Sequence, residues 1–353
     1  MVAMHGDIMK LRILVALLMF YGVSQTANAL PSFARKYNTS CNTCHTYAPK
    51  LNAFGRAFQA NYLNLPKDSG LKVTPTFPIS VLTTTRTDSN DVTRSQLAVE
   101  GSQFVAADSY SNQDTTISYL LDVQAYGTNR MRQGTIKKGY VAGRMGAFGV
   151  AIGQTSPLSF QYDAANRLTD ALPLALSVGI DGIALTDPVP TLRLDMFGDG
   201  TPGSFLPAGT RLSLGVTADG ALGFRDGATV GSQHGSYVIG SLDRMGKRYG
   251  VMSYLSGGAA LITLSVQQDV NNRLSVLAAG THVSSGGVPT AGTLEADYSV
   301  STRVVVTGRL DVASRSDFLA AASWYPCVKS RLRVSAEAST RANRTGVVAR
   351  YYW

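Results

Sequence analysis

Apolar and polar side chains alternate with a period of two over most of the chain from about residue 73 to its end. This period predicts β-strands that have one apolar face and one polar face. Leu120 is an exception, since it falls on the polar parity of its run. The clearest runs are residues 116–125, 211–218, 293–300, 303–312 and 331–339. Breaks that predict turns include Asn271-Asn272, Gly286-Gly287 and Asp199-Gly200.

Runs of this kind suit strands that cross a bilayer. Such a strand needs about 9–11 residues and an apolar face that points outward. Every backbone N–H and C=O inside hydrocarbon must be paired, so such a sheet has to close on itself. We predict a transmembrane antiparallel β-barrel over residues 75–353, with an even number of strands, about 16. A soluble β-sandwich or barrel also alternates. The charged residues on the inner parity of so many strands favour the membrane barrel.

The end of the chain favours the same fold. Its last strand, predicted over residues 345–353, ends in Tyr351-Tyr352-Trp353, and Trp324 with its neighbour Tyr325 lies at another strand end. Aromatic rings at the two membrane–water boundaries form the girdles of membrane barrels. A terminal aromatic residue also resembles the signal read by the machinery that assembles bacterial outer-membrane barrels. These features predict an outer-membrane location.

The segment before the barrel has a different period. Leu51, Phe54, Phe58 and Tyr62 recur at helical spacing, with Pro49 suited to the first helical turn. The opposite positions are polar: Lys50, Asn52, Arg56 and Gln59. Residues 30–74 are too few to bury an ordinary core, so something else must organise this segment.

The first 29 residues have the order of a secretory signal peptide. Lys10 and Arg12 precede an uncharged, mostly apolar run at residues 13–23, and Ala27-Asn28-Ala29 supplies a small-residue cleavage site. The alternative, a membrane-anchoring helix, needs about 20 apolar residues. We therefore predict export and cleavage after Ala29.

The charge of the chain is moderately basic, with 32 Lys and Arg against 23 Asp and Glu. Without the charged residues of the predicted signal peptide, 30 basic and 22 acidic residues give a net charge of +8. The basic residues are scattered among the predicted strands rather than gathered with aromatic residues. This distribution indicates a basic lumen or rim and argues against nucleic acid as a partner.

The candidate chemistry lies in Cys41-Asn42-Thr43-Cys44-His45, the attachment motif of c-type haem. Two thiols at this spacing add to the haem vinyl groups, and the following histidine ligates the iron. A thioredoxin-like pair would need a βαβ setting, and a zinc site would need a fourth ligand. We predict one covalent haem c held by Cys41 and Cys44, with His45 as the iron ligand. The third cysteine, Cys327, is interpreted as an unpaired thiol at a strand end.

The residues around the motif resemble the N-terminus of a known family, the fused monohaem cytochrome–porins of bacterial outer membranes, best known as cell-surface ferrous-iron oxidases. The resemblance covers residues 30–62, and the barrel resembles the family only in periodicity, size and aromatic end. It implies that electrons pass from extracellular Fe(II) to periplasmic cytochromes. The matching residues are 31–35, 41–46, Pro49, Leu51, Gly55-Arg56 and Phe58.

The second axial ligand of such a haem is not evident. No Met or His occurs between His45 and Arg130. The haem is then five-coordinate, or takes a ligand from the barrel, or uses an unusual donor such as a lysine or a terminal amine. The barrel candidates are Met131, Met145, His234 and His282, and the parity of Met145 and His282 directs them towards lipid.

These observations lead to three functional hypotheses. The first is an outer-membrane cytochrome that oxidises Fe(II) by outer-sphere transfer, which needs no catalytic base or nucleophile. The second is a conduit of the same build that runs outward or uses another donor. The third is a diffusion porin with a non-essential haem segment. For the first two, we expect the haem segment to fold into the barrel lumen as a plug, since one haem cannot span a membrane of about 40–45 Å.

Overall fold

The structure is a computed structural model that describes residues 31–65, 70–88, 98–112, 115–127, 136–155, 168–169, 173–180, 183–184, 189–198, 205–218, 234–244, 247–284, 290–314, 316–326, 332–340 and 344–352. Several positions discussed above lie outside these residues: the predicted signal peptide at 1–29, the turns at Gly286-Gly287 and Asp199-Gly200, Met131, Cys327 and Trp353.

The N-terminal segment folds into short elements: helix α1 (Pro31–Lys36), helix α2 (Cys41–Cys44), strands β1 (His45–Tyr47) and β2 (Lys50–Leu51), and helix α3 (Ala53–Ala60). The predicted helix is present but begins later than its spacing suggested. Asn52 caps α3 by accepting a hydrogen bond from the Gly55 amide at 2.9 Å. The placement of Pro49 in the first helical turn is therefore wrong, because Pro49 lies in the turn between β1 and β2. No helix among the described residues has both the length and the apolar character to cross a bilayer.

Sixteen strands form the barrel. Five precede a long connection: β3 (Ile79–Asp88), β4 (Ala98–Ser111), β5 (Thr115–Gly127), β6 (Ile136–Met145) and β7 (Phe148–Thr155). The connection contains β8 (Gly179–Ile180), β9 (Ile183–Ala184) and helix α4 (Leu174–Ser177). The other strands are β10 (Val189–Phe197), β11 (Thr210–Thr217), β12 (Gly235–Arg244), β13 (Lys247–Ser256), β14 (Ala259–Asp269), β15 (Leu274–Val283), β16 (Ala291–Ser301), β17 (Val304–Val312), β18 (Ser316–Trp324), β19 (Leu332–Ser339) and β20 (Arg344–Tyr352).

Each barrel strand pairs antiparallel with its neighbours along the chain, and two further pairings close the sheet. β7 pairs with β10, and the last strand, β20, pairs with the first, β3. Closure leaves no edge strand, so the backbone of every strand has a partner on both sides. The predicted antiparallel barrel of about 16 strands is confirmed.

The two faces of the sheet differ in polarity as the alternation predicted. On β16, Thr293, Glu295 and Asp297 are buried and point inward, whereas Leu294 and Tyr298 point outward and are exposed. The other runs named above follow the same rule where the structure describes them. Exposed apolar side chains of this kind surround the barrel, which suits an exterior in contact with hydrocarbon.

Some inward-facing apolar side chains do not follow this rule, and three examples pack on segments inside the barrel. Leu120 packs against the N-terminal segment, and Val305 packs against Leu168 of the β7–β10 connection. Tyr325 is only 4% exposed, whereas the adjacent Trp324 is 49% exposed. The interpretation of Tyr325 as part of an aromatic girdle is therefore wrong, because its ring turns inward.

The two mouths of the barrel are distinguished by the chain termini. β3 begins and β20 ends at one mouth, which we call the terminal mouth, and the opposite one is the far mouth. Because successive strands are antiparallel, the turns at Asn112, Gly146, Asn271, Thr302 and Tyr325 also lie at the terminal mouth.

The apolar exterior predicts how a charge should be tolerated at different depths. Leu264 is central in β14 and 58% exposed, so Leu264→Arg should lower the free energy of unfolding in lipid vesicles by about 2–4 kcal/mol. Gln268→Arg, on the same face near the end of β14, should lower it by at most about 1 kcal/mol. Denaturant titration followed by tryptophan fluorescence measures both values. Equal effects at the two positions would contradict a bilayer-facing exterior.

Candidate functional site

The two cysteines of the motif lie on one turn of helix. Helix α2 spans Cys41–Cys44, so the two thiols, three residues apart, project from the same side of the helix. Cys41 is buried and Cys44 is half-buried, and no disulfide joins them. Burial raises the pKa of Cys44 to about 11. The Cys44 thiol is therefore protonated at pH 7.

His45 follows the helix in an extended conformation, with its Nδ1 atom 2.8 Å from the Pro49 carbonyl oxygen. A carbonyl can only accept, so Nδ1 carries the hydrogen and donates, and Nε2 keeps its lone pair. Burial lowers the pKa of His45 to about 4, against the opposing effect of backbone hydrogen bonds at Pro49 and Lys50. The imidazole is therefore neutral at pH 7, in the tautomer that ligates metals through Nε2.

Asn52 joins the motif to helix α3. Its side-chain amide donates to the carbonyl oxygens of Asn42 and Thr43, both at 3.1 Å, while its side-chain oxygen caps α3. Its backbone N–H donates to the Cys44 carbonyl at 2.9 Å. Gly55 allows the close approach, because a Cβ there would lie 2.0 Å from the Cys44 carbonyl oxygen. The helix that carries the cysteines is thus fixed from one side.

Aromatic rings of the segment form a small apolar cluster against the barrel wall. Phe33 and Phe58 pack edge-on with ring centroids 5.0 Å apart, and Tyr37 packs edge-on against Phe58 at 6.1 Å. Ala107 and Leu120, on β4 and β5, complete the cluster. The barrel therefore supplies part of the core that this short segment cannot form alone.

Lysines of the segment pair with carboxylates of the barrel strands. Lys36 lies 2.6 Å from Asp108 on β4. Lys50 is buried, forms an ion pair with Asp297 on β16 and donates to Ser275 on β15 at 2.9 Å. A buried charge needs a partner of this kind, so these contacts fix the segment against two separate parts of the wall.

Arg56 binds a third part of the wall. Its side chain is 2% exposed and contacts Asp243 at 3.0 Å and Asp269 at 3.6 Å, at the ends of β12 and β14. All these strand ends belong to the terminal mouth. A segment that binds inward-facing residues around so much of the wall lies in the lumen at that mouth.

The end of helix α3 is attached to a further part of the wall. Tyr62 and Leu63 adopt positive φ, which ends the helix and turns the chain. The Tyr62 hydroxyl donates to Asp195 on β10, and its ring packs edge-on against Phe197 at 5.7 Å. Gly149 on β7 leaves room for the ring, because a Cβ there would lie 2.6 Å from it.

A second segment, described at residues 168–169 and 173–180 of the β7–β10 connection, also folds inward. Thr169 donates to Glu295 at 3.0 Å, and the Ala175 amide donates to the Thr293 hydroxyl at 3.1 Å. Leu176 and its neighbours cover an apolar part of the wall on β12–β16. This segment reaches the far-mouth ends of β15–β17. The lumen therefore holds the N-terminal segment at the terminal mouth and this second segment towards the far mouth.

None of the described barrel residues that the sequence offers as a second axial ligand lies beside the N-terminal segment. The N-terminal segment contains no methionine, and His45 is its one histidine. Met145 is 69% exposed on the outward face of β6, and His282 points outward from β15. His234 is exposed beside the start of β12. Nor do the described residues include three or more His, Cys, Asp or Glu side chains placed to hold a metal ion.

The sequence singles out Cys41, Cys44 and His45 as candidates but does not reveal the residues that hold their segment in place. The helical pattern places Lys50 and Arg56 only on the polar side of a helix. The sequence does contain a signal for such ion pairs. The segment has cations but no core of its own to bury them, and the predicted strands carry carboxylates on the parity that faces the lumen. The sequence could not show which cation meets which carboxylate.

The barrel is similar in fold to bacterial porins of known structure. A mutant of the porin of Rhodopseudomonas blastica is 12% identical with a TM-score of 0.54, and the match covers 78% of this chain and 98% of that one. OmpF of Salmonella typhi, in complex with daunomycin, is 11% identical with a TM-score of 0.61, covering 78% and 97% respectively. No family model and no curated protein matches the chain. The likeness establishes a porin-like barrel.

The close approach at Gly55 leads to a prediction. Gly55→Ala should destabilise the N-terminal segment by about 1–3 kcal/mol, because the added methyl group meets a backbone carbonyl that cannot move aside easily. Limited proteolysis of the folded protein, with cleavage sites mapped by mass spectrometry, measures the loss of protection in residues 31–65. Gly308→Ala is the control, since a Cβ at Gly308 meets nothing within 4 Å. Equal protection in both variants would contradict the contact.

Proposed function

We propose that this chain is a monohaem c-type cytochrome–porin of the bacterial outer membrane, exported through a signal peptide. In this proposal it transfers electrons across the membrane from extracellular Fe(II) to periplasmic cytochromes. Cys41 and Cys44 hold one covalent haem c, and His45 ligates its iron. Outer-membrane lipid contacts the apolar exterior.

The observation that carries the proposal is the orientation of His45. Its Nδ1 donates to the Pro49 carbonyl at 2.8 Å directly after a helical turn that carries both thiols. This hydrogen bond selects the tautomer and orients the ring for ligation through Nε2, as outer-shell partners of metal-binding histidines do. The residues present therefore fit a c-type haem, which supplies a one-electron carrier when bound.

The protein contributes position and electrostatics to such a transfer. His45 is held neutral, and the hydrogen bond to Pro49 sets the basicity of its ring. The contacts of Lys50, Arg56 and Tyr62 with the wall fix the segment at the terminal mouth. The side chains would therefore set the potential and the distance to donors and acceptors, and no group has to exchange a proton with substrate.

The first test is covalent haem on the purified mature protein. The intact mass should exceed that of the polypeptide by one haem, and Cys41→Ser with Cys44→Ser should remove the excess, because both thioether bonds are lost. Cys327→Ser is the matched control and should keep it. A wild-type protein with the mass of its polypeptide alone would overturn the proposal.

The donor is tested separately on the oxidised holoprotein in detergent. Rapid reduction by Fe(II), seen in the visible spectrum, supports ferrous-iron oxidation. Failure to reduce, with a potential far below that of the iron couple, supports a conduit that runs outward or uses another donor.

A diffusion porin is the second candidate, and the fold likeness to porins favours it. The two segments in the lumen argue against a wide pore in the resting state. We expect no steady conductance from the wild type in a planar bilayer. Lys50→Ala with Arg56→Ala should open it, because breaking a buried ion pair destabilises by about 3–5 kcal/mol.

The control for conductance is Arg273→Ala with Arg303→Ala, two exposed arginines in turns at the same mouth. These substitutions should leave the wild-type behaviour unchanged. A steady, open conductance of the wild-type protein would instead favour the diffusion porin.

A further inference from the structure

Tyr325 contacts the turn that carries the His45 hydrogen-bond acceptor. It lies at the terminal mouth, directly after β18, and is 4% exposed. Its hydroxyl donates to the Ala48 carbonyl oxygen at 2.8 Å. Its ring lies 5.5 Å from the ring of Tyr47, at an interplanar angle of 37°. A barrel residue thus binds the β1–β2 turn through both its ring and its hydroxyl.

The same turn is fixed on both sides of Pro49, whose carbonyl accepts the hydrogen bond from His45. Before Pro49, the Tyr47 hydroxyl donates to the Ser301 carbonyl at 3.3 Å. After it, Lys50 is held by Asp297. The Ala48 carbonyl bound by Tyr325 belongs to the peptide unit that joins Ala48 to Pro49.

We infer that Tyr325 is a positioning residue that acts on His45 through the Ala48–Pro49 turn. By fixing this turn, its hydroxyl keeps the Pro49 carbonyl in line with His45 Nδ1. The inference rests on the proposed function, because it concerns His45 as an iron ligand. A hydrogen bond at Nδ1 makes the imidazole a stronger donor through Nε2, and this is one of the means by which a protein sets a haem potential.

The direction of the effect follows from this chemistry. A stronger imidazole donor favours the oxidised iron, so weakening the Nδ1 hydrogen bond should raise the reduction potential. Tyr325→Phe removes the hydroxyl and keeps the ring. We expect it to change the preference for oxidised over reduced iron several-fold, where a tenfold change corresponds to about 59 mV for one electron.

The test is a potentiometric titration of the purified holoproteins, followed by visible absorbance. Tyr298→Phe is the matched control, because Tyr298 is 44% exposed on the outward face of β16. Tyr325→Leu, which also removes the ring, separates the two contacts. Haem content and far-UV circular dichroism are recorded for each variant.

The inference predicts a raised potential in Tyr325→Phe, with full haem content and an unchanged potential in Tyr298→Phe. An unshifted Tyr325→Phe overturns it. So does a shift that appears only in Tyr325→Leu, since ring packing rather than the hydroxyl would then be responsible. Lack of covalent haem in the wild type would overturn the proposed function itself, so the two failures are distinguishable.

Discussion

The constraint on which the structure depends is the pairing of backbone polar groups in apolar surroundings. A sheet with an apolar exterior can satisfy every N–H and C=O only by closing, and the pairing of β20 with β3 and of β7 with β10 closes it. Closure with a period of two then directs one face of every strand, which carries most of the polar side chains, inward. The lumen is therefore lined with carboxylates, arginines and hydroxyl groups that need partners.

Some of these partners lie on neighbouring strands, as Arg211 does for Asp195, and the inserted segments supply others. Lys50 and Arg56 bring cations to Asp297 and to Asp243, and Tyr62 brings a hydroxyl to Asp195. These contacts with the wall stabilise the N-terminal segment, which is too short to form a core of its own. They anchor the segment that carries the Cys-X-X-Cys-His turn to the rigid barrel wall. The site and the fold are thus coupled by the same polar interactions.

Much of the fold could be predicted from the sequence because a membrane barrel repeats one simple rule in every strand. Apolar residues on the inward parity of a strand break this rule, and they indicate where another segment packs against the wall. Leu120 and Val305 lie on the inner parity because each packs on an inserted segment rather than on lipid. The ion pair of Lys50 with Asp297, across 247 positions, could not be predicted, since nothing local links the two. The start of helix α3 was misplaced because the β1–β2 pairing overrides helical spacing around Pro49.

The central claim is that the N-terminal segment holds one haem iron within the barrel lumen. Anomalous diffraction at the iron absorption edge, from crystals of the mature protein, tests this most directly. The account predicts a single iron peak inside the barrel wall, next to Nε2 of His45. No peak, or a peak outside the barrel, would contradict it.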